Sequence, residues 1–179
     1  IYKNNIDNIS TGMDLVNSTA LVRNNTIYTD PNSSAAVIAG IRIAAFTNAY
    51  VPVIDSNYIL DHFYGIFIEP GSSPVIKNNV ISKKGGYGIL SGIAGNVKIL
   101  NNKIIATLGY DGIYKNGSIV QATSNFVTGP FIHYGILLGP NDTLKNSIVT
   151  GATNGIGVWD DQGVLIQYNN VWNNEINYS

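Results

Sequence analysis

The side chains here that could carry chemistry are few. The chain has 2 histidines and no cysteine, so a thiolate metal site is excluded and an imidazole cluster would need both His62 and His133. Asp111 and His133, with Tyr134 beside the histidine and Tyr110 beside the aspartate, have the makings of an acid/base centre. A carboxylate can orient an imidazole that titrates near neutrality, and a phenol can assist. The plainer reading of the same pair is a satisfied hydrogen bond. Phe63, Tyr64 and Tyr87 belong to the same corner, and rings beside a carboxylate and a histidine also suit carbohydrate, ring face to sugar face and hydroxyl to hydroxyl. Asp160-Asp161 could join a calcium site, which takes about six or more oxygens. An exposed acidic turn is the simpler expectation, and no metal or other cofactor is expected.

Composition sets the bounds. The chain of 179 residues is 45% hydrophobic and 12% charged, too apolar for disorder and short enough for one domain. A net charge of −1 supplies no field to hold a polyanion, so nucleic acid is not an expected partner. No apolar run approaches the roughly 20 residues of a membrane-spanning helix. Beginning at Ile1 without an initiating Met or a leader, the chain reads as a fragment or processed part of a longer one. The 24 Asn, 26 Ile and 19 Gly disfavour long helices and favour strands and turns.

The elements that would place these residues are read from a repeat. An apolar residue, two variable positions, Asn, one variable position and a second apolar residue recur eight times, at Asn4, Asn25, Asn57, Asn79, Asn102, Asn125, Asn146 and Asn169. The steps are 21, 32, 22, 23, 23, 21 and 23 residues, and Thr143 is the single polar residue in the apolar columns. A second column follows: Gly12-Met13, Gly40-Ile41, Gly65-Ile66, Gly88-Ile89, Gly112-Ile113, Gly135-Ile136 and Gly155-Ile156. Apolar residues mostly return two positions later, which is strand alternation.

A unit of about 22 residues with short strands cannot close a core, but stacked units can. Asn tolerates the left-handed bend of a sharp corner, and its amide both donates and accepts. A file of Asn at the strand spacing of about 4.8 Å can therefore bond from rung to rung. Gly before each Ile would relieve crowding at another corner. The expected fold is all-β, a parallel β-helix of about seven to eight coils forming one domain over residues 1–179.

The period, the Asn column and the recurring Gly-Ile resemble the right-handed parallel β-helix superfamily, which includes pectate-lyase-like enzymes, uronate epimerases, tailspikes and adhesins. The resemblance covers residues 1 to about 172. It implies a right-handed solenoid and, for its lyases, acidic calcium ligands and a basic residue on the Gly-Ile sheet. Here that sheet's outward column reads Asp14, Arg42, Phe67, Leu90, Tyr114, Leu137, Gly157. Asp14 and Arg42 are expected to pair across strands. Phe67, Leu90, Tyr114 and Leu137 make an apolar ridge roughly 14 Å long, either covered by a loop or open to a partner or to sugar rings. His62 and His133 fall three rungs apart, about 14 Å, too far to share a metal. The segment 29–36 inserts a loop in an early coil. The corners at 69–74 and 82–86 read as polar and solvated.

The sequons at Asn8, Asn17, Asn24, Asn32, Asn116, Asn141 and Asn177, with the lack of cysteine, point to an extracellular or cell-surface protein. The expected function is a structural, adhesive or carbohydrate-contacting module, whose partners are a polysaccharide or surface glycan. The alternatives are an enzyme acting on acidic glycans through Asp111, His133 and Tyr134, and a filament subunit. The ends, read as uncapped, suggest flanking coils or self-association.

Overall fold

Three-residue strands bury nothing alone, and here they form a core by stacking. The structure, a computed structural model, describes residues 1–7, 11–29, 39–45, 49–92 and 95–179. Among these lie 23 strands and no helix, and hence none long and apolar enough to cross a membrane. All strand pairs are parallel and form three sheets. Sheet 1 runs in seven strands from Leu21–Arg23 to Leu165–Gln167. Sheet 2 has eight, from Asn5–Asp7 to Asn170–Trp172, and sheet 3 eight, from Thr11–Val16 to Ile176–Tyr178. Each coil visits sheets 1, 2 and 3 in turn, giving seven coils after a partial one at 5–16. The first coil is described at 21–29 and 39–44, and the next six span 53–68, 75–91, 96–115, 119–138, 143–158 and 165–178. Apart from Thr29, the inserted segment 29–36 lies outside the described residues.

The register explains the apolar columns. On sheet 1 Ile54, Ile76, Ile99, Ala122 and Leu144 are successive partners. On sheet 2 the file is Ile27, Ile59, Ile81, Ile104, Val127 and Val149, and on sheet 3 Ile41, Ile66, Ile89, Ile113, Ile136 and Ile156. Every one of these is 0% exposed. Burying a branched aliphatic side chain contributes about 1.5–3 kcal/mol, so these three files dominate the stability of the solenoid. The Gly column keeps the coil narrow. A Cβ on Gly65, Gly88, Gly112 or Gly135 would sit within 2.6 Å of the sheet 2 residue opposite, Ile81, Ile104, Val127 or Val149.

The Asn file forms at the corner between sheets 1 and 2. Asn25, Asn57, Asn79, Asn102 and Asn125 are buried. Each of the Oδ1 atoms of Asn57, Asn79, Asn102 and Asn125 accepts the backbone N–H of the preceding rung's Asn at 2.9–3.0 Å. The amides of Asn57, Asn79, Asn102 and Asn125 donate to Val22, Ile54, Ile76 and Ile99 carbonyls on the coil before. Two sequence expectations are corrected here. The left-handed residue is not the file Asn but the one before it: Asn24, Ser56, Asn78, Asn101, Ser124, Asn146 and Tyr168 all have φ of 51–58°. Bend and ladder are thus separate jobs on adjacent residues, which is why Asn-Asn pairs recur. Asn146 therefore belongs to the bend column, and Ser147 holds the file position between Asn125 and Asn169. Its Oγ accepts the Asn125 N–H at 3.2 Å and its N–H reaches Asn169 Oδ1 at 2.8 Å. The steps around it become 22 and 22, and the apolar neighbours are Leu144 and Val149, not Thr143 and Ile148.

Ser147 breaks the amide-to-amide chain, because its hydroxyl donates to Lys145 O at 3.0 Å rather than along the file. Ser147→Asn restores an Asn in that rung and is expected to raise stability by about 1 kcal/mol, read as a higher urea midpoint at unchanged slope. A lower midpoint would show that this corner is too tight for the larger side chain.

Candidate functional site

The corner between sheets 2 and 3 places the residues singled out above. Tyr64, Tyr87 and Asp111 are successive partners at the start of sheet 3, and Tyr134 follows one coil on. Just before them, Phe63, Gly86, Tyr110 and His133 are tied coil to coil by backbone bonds: Tyr87 N to Phe63 O, Tyr110 N to Gly86 O, and His133 N to Tyr110 O, at 2.8–3.1 Å. A corner bonded like a sheet holds its side chains at strand spacing, so the rings stack. Phe67 lies 5.3 Å from Tyr64, Tyr64 5.7 Å from Tyr87, Tyr87 5.8 Å from Tyr110 and Tyr110 5.5 Å from His133. Tyr114 joins at 5.3 Å from Tyr87. Burial, and next the charge of Asp111, push the Tyr87 phenol up, so it stays a hydroxyl. Gly86 interrupts the corner's side chains because a Cβ there would meet Phe63 O and the Phe63 ring. The resulting groove, about 270 Å³, is walled by Phe63, Leu108, Tyr110 and Ile132.

Asp111 and His133 come together, but not as the sequence suggests. Asp111 is 1% exposed, with Oδ1 accepting the Tyr134 N–H at 2.7 Å. Its Oδ2 faces His133 Nδ1 at 4.0 Å, beyond hydrogen-bonding distance. Among the described residues Asp111 Oδ2 is the buried side-chain polar atom with no partner. Burial pushes the Asp111 carboxyl up, opposed first by the Tyr134 N–H and then by the neighbouring His133 and Lys83 side chains. The hydrogen bond expected between the two side chains is not made. Tyr134 turns away to the next coil, where a Cβ on Gly157 would strike its ring.

Lys83 was missed by sequence reasoning, which took 82–86 for a solvated corner. It is 1% exposed, donating to Gly86 O and, at 2.6 Å, to Asp111 O, with the Phe131 ring 5.0 Å away. Burial lowers its pKa from 10.5 to about 7, the Asp111 charge opposing. The unfolded chain therefore holds more protons between about pH 7 and 10, and stability rises with pH across that window. Lys83→Met removes this contribution. Urea unfolding at pH 7, 8.5 and 10 should show the wild type gaining on the variant at each step, and parallel curves would refute the assignment.

The other expected sites are placed as follows. Arg42 pairs with Asp14 at 2.7 Å, as expected, and also grips Glu69 through two bonds of 2.8 and 2.9 Å. Phe67, Leu90 and Tyr114 are half-buried on sheet 3, whereas Leu137 is buried at 8% exposure, so the ridge is one residue shorter than anticipated. His62 is buried against Thr29 Oγ1 at 3.0 Å, and burial lowers its pKa to about 4. Asp160 caps the Gln162 N–H in a turn, and among the described residues no three His, Cys, Asp or Glu side chains group as metal ligands. Asn24, Asn116, Asn141 and Asn177 are exposed and Asn17 half-buried, while Asn8 and Asn32 lie outside the described residues. Compared with known proteins, the chain matches no family model, no curated protein and no solved structure.

Proposed function

We propose that this chain is a carbohydrate-contacting β-solenoid module working outside the cell, with coils of the right-handed, pectate-lyase-like kind. The observation that carries the reading is the unbroken run of stacked rings from Phe67 through Tyr64 and Tyr87 to Tyr110. Three successive coils supply it, so it extends roughly 10 Å along the solenoid at strand spacing. A sugar ring has an apolar C–H face and a hydroxyl rim. The phenols answer the first with the apolar ring surface that their stacking leaves open and the second with their hydroxyls. The rings are fixed by the backbone bonds beneath them, which lowers the ordering cost of binding. The handedness follows the general preference of parallel crossovers, and the exposed sequons support an extracellular setting.

Retention on immobilised polysaccharides, neutral and acidic, tests the reading. The wild type should be held by at least one, and the Tyr87→Ala/Tyr110→Ala double variant released, with a loss of about tenfold or more in affinity for two stacking rings. Wild-type protein that passes every matrix would remove the proposal.

A further inference from the structure

The aromatic corner contains one residue that does not belong to an aromatic surface. Where the second and third coils start sheet 3 with Tyr64 and Tyr87, the fourth starts it with Asp111. The fold shows twice how it treats a buried carboxylate for structural purposes. Asp142, 0% exposed, accepts Val120 N–H and Lys115 Nζ on one oxygen and Gly139 N–H on the other. Asp55 is held by Ser56, Asn78, Arg23 and Lys77. Asp111 spends one oxygen on the Tyr134 N–H and leaves the other bare. An unsatisfied buried acceptor is costly and calls for an explanation.

Its surroundings supply one. Oδ2 is shut in beside His133, 4.0 Å away. The His133 side chain is itself 55% exposed and makes a tilted ring contact with Tyr110, so a rotamer change of this one side chain moves the imidazole off the oxygen it faces. A carboxylate oxygen only accepts, and accepts most strongly from hydroxyls and N–H groups. Facing stacked rings, the partner that supplies both an apolar face and a hydroxyl donor is a sugar. The charge narrows the class. A uronate carboxylate brought beside Asp111 would meet like charge, and the arginine of this sheet, Arg42, is already committed to Asp14 and Glu69.

Resting on the carbohydrate reading above, we propose that Asp111 Oδ2 is the hydroxyl-accepting anchor of a neutral-sugar subsite, with His133 as its movable cover. The test is calorimetric titration of the whole chain with cellohexaose, mannohexaose, xylohexaose and hexagalacturonate near neutral pH. A neutral hexaose should bind, and hexagalacturonate about tenfold or more weaker. Asp111→Asn, which retains a carbonyl for the Tyr134 N–H, should weaken the neutral hexaose about tenfold or more. His133→Ala should bind it severalfold tighter, since the cover no longer has to move.

Each contrary result is specific. If Asp111→Asn binds like wild type while Tyr110→Ala does not, the rings bind sugar without the anchor: the subsite fails and the carbohydrate reading stands. If hexagalacturonate binds best, the neutral class falls. If His133→Ala is unchanged or weaker, the cover is overturned even should Asp111→Asn not fold. If no hexaose binds the wild type, the subsite falls, while retention on the polysaccharide matrices decides the carbohydrate reading separately.

Discussion

Asn79→Ala should be among the most damaging single substitutions in this solenoid, costing about 4 kcal/mol or more. The side chain is 1% exposed and serves two neighbouring rungs at once. Its Oδ1 accepts both the backbone N–H and the Nδ2 of Asn57, at 2.9 and 3.0 Å, and its Nδ2 donates to Ile54 O and Asn102 Oδ1, each at 3.0 Å. Alanine removes these four bonds in a water-free corner and leaves the Asn57 N–H without its acceptor, an unmet group that by itself costs about 1–3 kcal/mol. Relaxation recovers only part of that, because the donors are fixed by the parallel strands on either side. Asn79→Ser is the internal control. Ser147 holds the same position two coils beyond Asn102 and still accepts the Asn125 N–H, so serine should cost roughly half as much as alanine. Urea unfolding of the three proteins gives the order wild type, Ser, Ala. If serine and alanine proved equal, the backbone N–H bond would not be what the file contributes.

The solenoid was legible because its signals are periodic and redundant. Ile54, Ile76 and Ile99 are buried partners, and each stands at the same offset from its Asn. The errors came where one residue departs from the period. Ser147 is chemically able to fill an Asn slot, and the Asn146 beside it fits the spacing within one residue, so an Asn-based period lands one place early. The polar Thr143 in an apolar column was the visible sign of the slip, and Leu144 with Val149 would have corrected it. Lys83 was hidden differently: alternation from Ile81 points it inward, and its sheet partner is the buried Ala106, yet its charge argued for solvent. Its burial is possible only because Gly86 and Asp111 turn carbonyls toward it, an arrangement that depends on two coils and that spacing does not encode. The unmet Oδ2 of Asp111 was equally invisible, since the rung pairing that brings His133 near says nothing of how far the ring stops from the carboxylate.

The second large effect is expected at the far corner of sheet 3, where Lys115 and Asp142 form an ion pair of 3.2 Å with side chains 2% and 0% exposed. Lys115 occupies the inward column after Ile113, so its charge stands where Ile68 and Leu138 stand in other coils. A buried pair of this kind adds little over an apolar equivalent, but removing one partner leaves a charge with no counter-ion and costs about 3–5 kcal/mol. Asp142→Ala should be the worse of the two, because it also strands the Val120 and Gly139 N–H groups. Lys115→Met should be milder and pH-dependent. Burial already pushes the Asp142 carboxyl up, held back by those two N–H bonds and by Lys115. Without the lysine it rises further above its unfolded value, so the folded variant takes up a proton that the unfolded chain does not, and stability recovers as pH falls through the folded pKa. Unfolding measured near pH 8 and near pH 5 should therefore show a smaller penalty for Lys115→Met at the lower pH. An equal penalty at both would mean that the carboxyl is already neutral beside the lysine, and that the corner is held by its backbone bonds alone.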